Sequence, residues 1–283
     1  MPPRSKPTAR QARLGAELRK LREVAGMPAR EVGAFLGGNQ AQISHIEAGR
    51  WGVSADRVRR LATLYSASDE KLVEALCAMA EERGKRWWED YRGVLRPGFL
   101  DLAEMEQHAT CLRSVQIVNV PGILQSEEYV RAIHSSYVPE LPADELDARV
   151  EFRMKRRSIF ECAAPTPFVA LVHEAALRMR YGGRKVAKGQ LEFLLEASEW
   201  PTVTLRVIPF TCEDFIEAAH SLLYAVGVVP QLDTVHLDSP VGGVPITDTA
   251  GLNRFGGMLD FAEGAALSEG ESRQLIHHIA REL

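Results

Sequence analysis

The chain has 283 residues, of which 46% are hydrophobic and 25% charged, and this is the composition of a folded globular protein rather than of a disordered or fibrous one. The length predicts about two domains. No apolar run approaches the roughly 18 residues that cross a bilayer, and the basic N-terminus lacks the apolar core of a signal peptide. The net charge of -4 hides a split, because residues 1–66 carry 12 basic and 5 acidic side chains, whereas the remainder carries 22 basic and 33 acidic. A basic end of this kind indicates nucleic acid or a membrane surface as a partner.

The basic end predicts five short helices. Thr8 and Gln11 have the spacing of a capping box at the start of the first helix. Leu14, Leu18 and Leu21 then repeat at helical spacing. Glycine, proline and cap residues divide the following chain into four further helices, whose apolar faces carry Val32, Phe35 and Leu36; Ile43 and Ile46; Val58, Leu61, Ala62 and Tyr65; and Leu72, Val73 and Leu76. A turn of about three residues with two glycines separates the second helix from the third, which is typical of a helix-turn-helix unit.

The third helix has the pattern of a recognition helix. Asn39 is a suitable N-cap, and Ile43 and Ile46 are predicted to face the core. At about 100° per residue, the outward face then carries Ala41, His45 and Ala48, with Gln42 and Ser44 at its flanks. Gln40 lies in the first turn, the part of such a helix that reaches base edges. A glutamine amide can bond adenine at N6 and N7, and an alanine methyl can pack on a thymine methyl.

These residues resemble a known family. The segments LGAELRKLREVAG, EVGAFLGGNQAQISHIEAGR and VRRLATLY are similar to the Xre (Cro/cI-type) helix-turn-helix family of DNA-binding proteins. The resemblance implies that Gln40, Ala41 and His45 face bases, while Arg50 and the Asn39 backbone hold phosphates. It also implies that the pair Arg22 and Glu47 ties the first helix to the third. The alternative for Gln40, Gln42 and His45 is a solvated surface without DNA contact.

The remaining sequence predicts a different kind of domain. We expect a helix-turn-helix domain over residues 1–83, a helical linker over 84–110 and a mixed α+β domain over 111–283. Trp87 and Trp88 indicate a hydrophobic anchor of the second domain or a dimer contact. Helices are predicted at Ser126–His134, Asp144–Phe160, Val186–Trp200, Thr249–Ala262 and Ser268–Arg281, and strands at Phe168–Val172, Val203–Ile208, Leu222–Val226 and Thr234–Leu237. The basic run Arg153, Lys155, Arg156 and Arg157 is interpreted as a solvated helix face, with a second nucleic-acid patch as the alternative.

Motifs for catalysis or cofactor binding are not found in the sequence. It contains no HExxH, no phosphate-binding loop, no GxSxG and no GxGxxG after a strand. We therefore expect no catalytic residues, no metal and no cofactor. The alternative is a small-molecule enzyme tethered to DNA, with His173, Glu174 and Arg178 lining a cleft.

The second half carries a resemblance of its own. The segments VPGILQSEEYVRA, HEAALRMRYGG, QLEFLLEASEWPTVTLRVIPF and ESRQLI look like the long C-terminal domain of actinobacterial, WhiJ-like and antitoxin-like Xre regulators. The resemblance implies a domain that is not an enzyme and that binds a small partner protein encoded nearby.

The sequence therefore predicts a transcriptional regulator that acts as a homodimer in the major groove of double-stranded DNA. Its C-terminal domain is expected to dimerise, to receive a signal, or to bind a small partner protein. The alternative is an antitoxin-like protein that neutralises a small partner and regulates its own gene by binding DNA. Four widely spaced cysteines and the DNA partner favour the cytoplasm and the nucleoid as its location.

Overall fold

The computed structural model describes residues 6–82, 84, 86–213, 221–239 and 242–283. The chain divides into two compact units, residues 1–87 and 88–283. Each unit has its own hydrophobic core.

The first unit consists of five α-helices, as the sequence predicts. They are α1 (Ala9–Val24), α2 (Ala29–Phe35), α3 (Gln40–Glu47), α4 (Ala55–Leu64) and α5 (Glu70–Glu81). Thr8 and Gln11 form the predicted capping box, because the Thr8 hydroxyl accepts the Gln11 N–H and the Gln11 amide oxygen accepts the Thr8 N–H. The residues of the predicted apolar faces that are fully buried include Leu18, Val32, Ile43, Val58 and Leu76.

Phe35 does not lie in this core, so the prediction that it belongs to the buried face of α2 is wrong. Its side chain is 48% exposed. The Arg60 guanidinium of α4 lies over the ring, 5.7 Å from its centroid. Phe35 is the last residue of α2, which is seven residues long. Its ring is not buried but contacts the cation of Arg60.

The second unit combines helices with one sheet, which confirms the predicted α+β class. Its α-helices are α6 (Pro97–His108), α7 (Glu127–Ser135), α8 (Ala143–Lys155), α9 (Glu174–Arg178), α10 (Arg184–Ala197), α11 (Thr249–Ala265) and α12 (Glu269–Glu282). Its strands are β1 (Cys111–Gln116), β2 (Phe168–His173), β3 (Val203–Ile208), β4 (Leu222–Val226), β5 (Thr234–Leu237) and β6 (Val244–Ile246). The sequence pattern does not predict α9, β1 or β6 as separate elements.

The six strands lie in the order β3-β2-β1-β4-β5-β6. The strands β3, β2 and β1 are parallel, and β4, β5 and β6 continue the sheet in antiparallel pairs. Successive residues of a strand point to opposite faces, and both faces are covered. Ala170 and Val172 pack into a core with α10 and α12, whereas Leu171 packs into a second core with α11.

The outer edge of β3 is bonded at Val207 by the chain that joins α11 to α12 and by the start of α12. The Leu267 N–H donates to the Val207 oxygen, and the Val207 N–H donates to the Ser272 hydroxyl, both at 2.9 Å. The Arg206 guanidinium also donates to the oxygens of Ala266 and Leu267. Both outward backbone groups of Val207 are therefore satisfied, one by a side chain and the other by the loop.

The basic run at the end of α8 faces inward, so the interpretation as a solvated helix face is wrong for three of its four residues. The Arg156 side chain is 5% exposed and forms an ion pair with Glu106, whose side chain is 1% exposed. Arg153 and Arg157 are partly buried, and only Lys155 is exposed. Spacings of three and four residues place the three arginines on one side of the helical segment, where partners distant in sequence meet them.

Trp88 is buried in the second unit and meets the His108 ring edge-on, with 6.5 Å between the ring centroids. Of the two predicted roles of the tryptophan pair, Trp88 thus serves as an anchor within this unit.

His134 predicts a dependence of stability on pH. Its side chain is 2% exposed, and burial, with the charges of Arg153 and Arg149, lowers its pKa to about 3. The unfolded chain takes up this proton below about pH 6.5, whereas the folded chain does not, so stability is present above that pH and falls as the solution becomes more acidic. Between pH 7 and pH 5 we expect a loss of about 2 kcal/mol from this one group.

Urea denaturation at the two pH values measures this loss. The variant His134→Gln, which stays neutral, should lose about 2 kcal/mol less than the wild type between them. The exposed His277, changed to glutamine, is the control and should keep the wild-type dependence. Equal losses in the wild type and in His134→Gln would show that this histidine does not resist protonation.

Candidate nucleic-acid interface

The helix α3 is positioned by its cap and by two buried isoleucines. The Asn39 backbone is extended and its side-chain oxygen accepts the Gln42 N–H at 3.1 Å, so the helix begins at Gln40. Ile43 and Ile46 are buried in the core of the unit. The opposite side of α3 is therefore turned toward solvent.

The structure places the predicted site residues on this solvent side with different exposure. Gln40, Ala41 and Ser44 are exposed, as are Asn39 and Arg50 at the two ends of the helix, whereas Gln42 and His45 are partly buried. The Gln42 amide lies over Gly38, where a Cβ atom would collide with its oxygen. Gln40 and Ala41 are thus the side chains of the first turn that stand free of the preceding turn.

His45 has a neighbour that the sequence did not reveal. The Trp51 ring stacks on the imidazole, with 5.3 Å between the centroids and 26° between the planes. The N–H groups of Arg50 and Trp51 both donate to the His45 oxygen, at 2.9 and 3.1 Å, which holds the tryptophan against the end of α3. The only signal in the sequence is an aromatic residue less than two helical turns after the histidine. The stack restricts the rotamers of the His45 ring at the surface of the helix.

Two glycines allow neighbouring helices to approach α3 closely. A Cβ atom on Gly15 of α1 would lie 2.5 Å from the Glu47 oxygen and 2.6 Å from the Ile46 oxygen. A Cβ atom on Gly33 of α2 would lie 2.7 Å from the Asn39 oxygen. All three distances are too short for any side chain, so glycine at these two positions fixes how α3 packs on the rest of the unit.

Arg22 and Glu47 form a bidentate ion pair between α1 and α3. The Arg22 Nε and Nη2 atoms donate to the Glu47 carboxylate at 2.6 and 3.0 Å, and Nη1 donates to the Met27 oxygen at 2.9 Å. Their side chains are 12% and 9% exposed. The hydrogen bond with Glu47 raises the pKa of Arg22 above its ordinary value. A charged pair of this geometry is stronger than a solvated surface pair and holds the end of α3 against α1.

The arginines of the first unit differ in whether a carboxylate of the protein already pairs with them. Arg22 pairs with Glu47, Arg10 with Glu82 and Arg59 with Glu74. Arg50 is exposed, and it forms no ion pair within the part of the chain that the structure describes. Its guanidinium, directly after α3, is thus free for an external anion.

In the second unit, His173 and Glu174 are bound within the protein. The His173 Nδ1 atom accepts the Ala175 N–H at 3.2 Å. One carboxylate oxygen of Glu174 accepts from Arg178 Nε at 2.7 Å, and the other accepts the Phe210 N–H at 2.9 Å. These bonds fix β2, α9 and the chain after β3 to one another, and each carboxylate oxygen already has a donor.

Comparison with known protein families assigns both halves of the chain. A helix-turn-helix domain family matches residues 13–76, which run from α1 into α5. A second family, DUF5753, described as a domain of unknown function, matches residues 99–278. The chain belongs to the DUF5753 family. No curated protein and no solved structure matches this chain.

The two family matches cover different parts of the chain. The first unit of this DUF5753 protein is a helix-turn-helix DNA-binding domain, in which a short turn joins α2 to α3. The DUF5753 domain comprises the sheet and most of the helices from α6 to α12. None of the helices that the structure describes has the length and apolar character needed to cross a membrane.

Proposed function

We propose that this DUF5753 protein is a sequence-specific transcriptional regulator of the Xre (Cro/cI) type, close to the WhiJ-like group, and that α3 reads the major groove. The observation that carries the proposal is the solvent side of α3, where Gln40 and Ala41 are exposed in the first turn while Ile43 and Ile46 anchor the other side. Residues at the N-terminal end of a recognition helix are those that reach base edges.

Each exposed side chain has a chemical role in this proposal. The Gln40 amide bonds an adenine at N6 and N7, and the Ala41 methyl packs on a thymine methyl. His45, held by its stack on Trp51, donates or accepts one bond in the groove. Arg50 and the Asn39 backbone bind phosphates and set the register without reading sequence.

Gln40→Ala should lower the preference for the operator over scrambled DNA by about 1 to 3 kcal/mol, or roughly 5- to 150-fold, because a bidentate base contact is lost. His45→Ala should also lower this preference. Fluorescence anisotropy on the promoter of the protein's own gene and on a scrambled duplex measures both affinities at physiological salt. Equal affinity of the wild type for the two duplexes contradicts sequence-specific binding.

Arg50→Ala should instead weaken binding to both duplexes to a similar degree. The slope of log K against log salt should become shallower by about 1, because one fewer phosphate contact releases counterions. Arg59→Ala is the matched control, since Arg59 already pairs with Glu74. If Arg50→Ala changed the preference between the duplexes and left the slope unaltered, Arg50 would be a base-reading residue.

For the DUF5753 domain we propose a regulatory role without catalysis, in a protein that acts as a homodimer. The bonds that already satisfy Glu174 support this, because a general base needs a free carboxylate. Two-fold symmetry would place half-sites about 34–36 Å apart on DNA. Sedimentation at micromolar concentration and footprinting test the dimer and the spacing.

The acidic excess of residues 67–283, with 22 basic and 33 acidic side chains, favours a second candidate in which this domain binds a small basic protein. The chain would then act as an antitoxin-like protein with autoregulation. Co-purification of the chain with the product of an adjacent short gene would support this second candidate. If no such protein co-purifies, the first proposal, a transcriptional regulator without this partner, is favoured.

A further inference from the structure

The end of α8 and the 3-10 helix that follows it (Arg156–Phe160) direct three guanidinium groups toward the interior of the second unit. The carboxylate of Glu106 neutralises one of them, because Arg156 donates to its two oxygens at 2.7 and 2.5 Å. Arg153 and Arg157 have no such partner. Neither has a carboxylate oxygen within 4.0 Å in the described part of the chain.

Arg153 and Arg157 meet on one neutral residue instead. The Arg153 Nη1 atom donates to the Gln125 amide oxygen at 2.7 Å, and Arg157 donates to the Gln125 backbone oxygen. The Gln125 amide nitrogen in turn donates to the Val120 oxygen at 2.9 Å. The Nε atom of Arg157 is buried without a hydrogen-bond acceptor among the described residues. Two positive charges thus share a neutral acceptor and retain unused donor capacity.

Gly122 lets the guanidiniums lie directly on the backbone. A Cβ atom at this position would be 2.8 Å from Arg153 Nη1 and 3.4 Å from Arg156 Nη1. The same short segment, Val120–Gln125, therefore supplies both the close approach and the neutral acceptor. We call Gly122, Gln125, Arg153 and Arg157 the arginine centre.

The charge of the arginine centre is not balanced internally. Burial, followed by the charge of Arg156, lowers the pKa of Arg153 to about 10, and burial lowers the pKa of Arg157. Some carboxylates raise these two pKa values without forming an ion pair with either arginine. Asp238 and Glu106 act in this way on Arg153, and Glu161 and Glu196 act on Arg157. An anion that touched both guanidiniums would gain energy in surroundings that are partly shielded from water.

We propose that the arginine centre binds the phosphate group of a small molecule. Guanidinium forks match phosphate oxygens bidentately, and a phosphate monoester carries about -1.5 to -2 charges at pH 7, which suits two unneutralised arginines. Arg153 and Arg157 are each partly exposed as whole residues, whereas Arg156 is buried. This site lies in the DUF5753 domain and does not depend on the proposed reading of DNA.

Thermal unfolding of the full chain with inorganic phosphate or AMP tests the proposal. Chloride at matched ionic strength and adenosine are the controls. Both phosphates should raise the midpoint of the second unit by several degrees, since a ligand that binds only the folded state stabilises it. A response to AMP alone indicates a nucleotide, and an equal response to both indicates the phosphate group itself. Hydrogen exchange should show new protection at Val120–Ser126 and in α8.

Variants separate a ligand site from a merely structural cluster. Arg153→Gln should raise the Kd for phosphate by about tenfold or more, because a charged hydrogen bond is lost. Asp238→Asn should lower that Kd by about twofold or more, because a competing carboxylate is removed. Arg131→Gln, on an exposed arginine that pairs with Asp147, should leave it unchanged. Absence of any phosphate-specific response, or protection confined to α3, overturns the proposal.

Discussion

Gly15→Ala should lower the free energy of unfolding of the first unit by about 2 to 3 kcal/mol and abolish binding to DNA. The new methyl would meet backbone oxygens of Ile46 and Glu47 at 2.6 and 2.5 Å. Backbone atoms cannot swing aside as a long side chain can, so α1 and α3 must separate. The pair Arg22–Glu47, which joins the same two helices at 2.6 Å, would be strained by that movement. Hydrogen exchange of α1 and α3, with urea denaturation, measures the loss.

The matched control is Gly189→Ala. Gly189 lies inside α10, and a Cβ atom there would meet nothing within 4 Å. The same substitution should therefore stabilise its helix by about 0.5–1 kcal/mol, because alanine is the better helix former. We therefore expect Gly15→Ala to lower the free energy of unfolding and Gly189→Ala to raise it. A Gly15→Ala protein as stable as the wild type would mean that α1 and α3 lie further apart than described.

Glu106→Ala should be the most damaging single change in the second unit, at about 3–5 kcal/mol. Arg156 would keep its charge in a buried position while losing both of its hydrogen bonds to Glu106. Calorimetry of the full chain should show a large fall in the midpoint of this unit. The exposed pair of Glu127 and Arg131 gives the comparison, since Glu127→Ala should cost less than about 1 kcal/mol.

A double variant tests the reason for this loss. Combining Glu106→Leu with Arg156→Met removes both charges and keeps similar volumes, so most of the stability should return. Recovery would show that the uncompensated charge of Arg156 causes the damage in Glu106→Ala. If the double variant is no more stable than Glu106→Ala, the loss of stability in Glu106→Ala comes from lost packing and not from the charge of Arg156.

Local signals predicted the five helices of the first unit from the sequence, although not the exposure of Phe35. The capping box of Thr8, the N-cap at Asn39 and the spacing of apolar residues all act within a few positions, and each recurs in the structure. The direction of α3 follows from the positions of Ile43 and Ile46 alone. The stack of Trp51 on His45 was not predictable in this way, because it depends on how the chain leaves α3.

The inward arginines of α8 show why the second unit was harder. A run of basic residues is usually solvated, and nothing near Arg156 in the sequence indicates otherwise. Its partner, Glu106, lies 50 positions earlier, and Gln125, which meets Arg153 and Arg157, belongs to the segment after β1. Such contacts exist only after the chain has folded, so periodicity within α8 cannot reveal them.

The bonds of Val207 limit how the edge of β3 can pair with a second molecule. An open edge strand offers a row of backbone donors and acceptors to a neighbouring chain. At Val207 both backbone groups are already bonded, to Leu267 and Ser272. At the far edge β6 is three residues long and contains Pro245, which has no N–H to donate. Val207 at one edge and Pro245 at the other therefore offer no free N–H group by which a strand of a second molecule could extend the sheet.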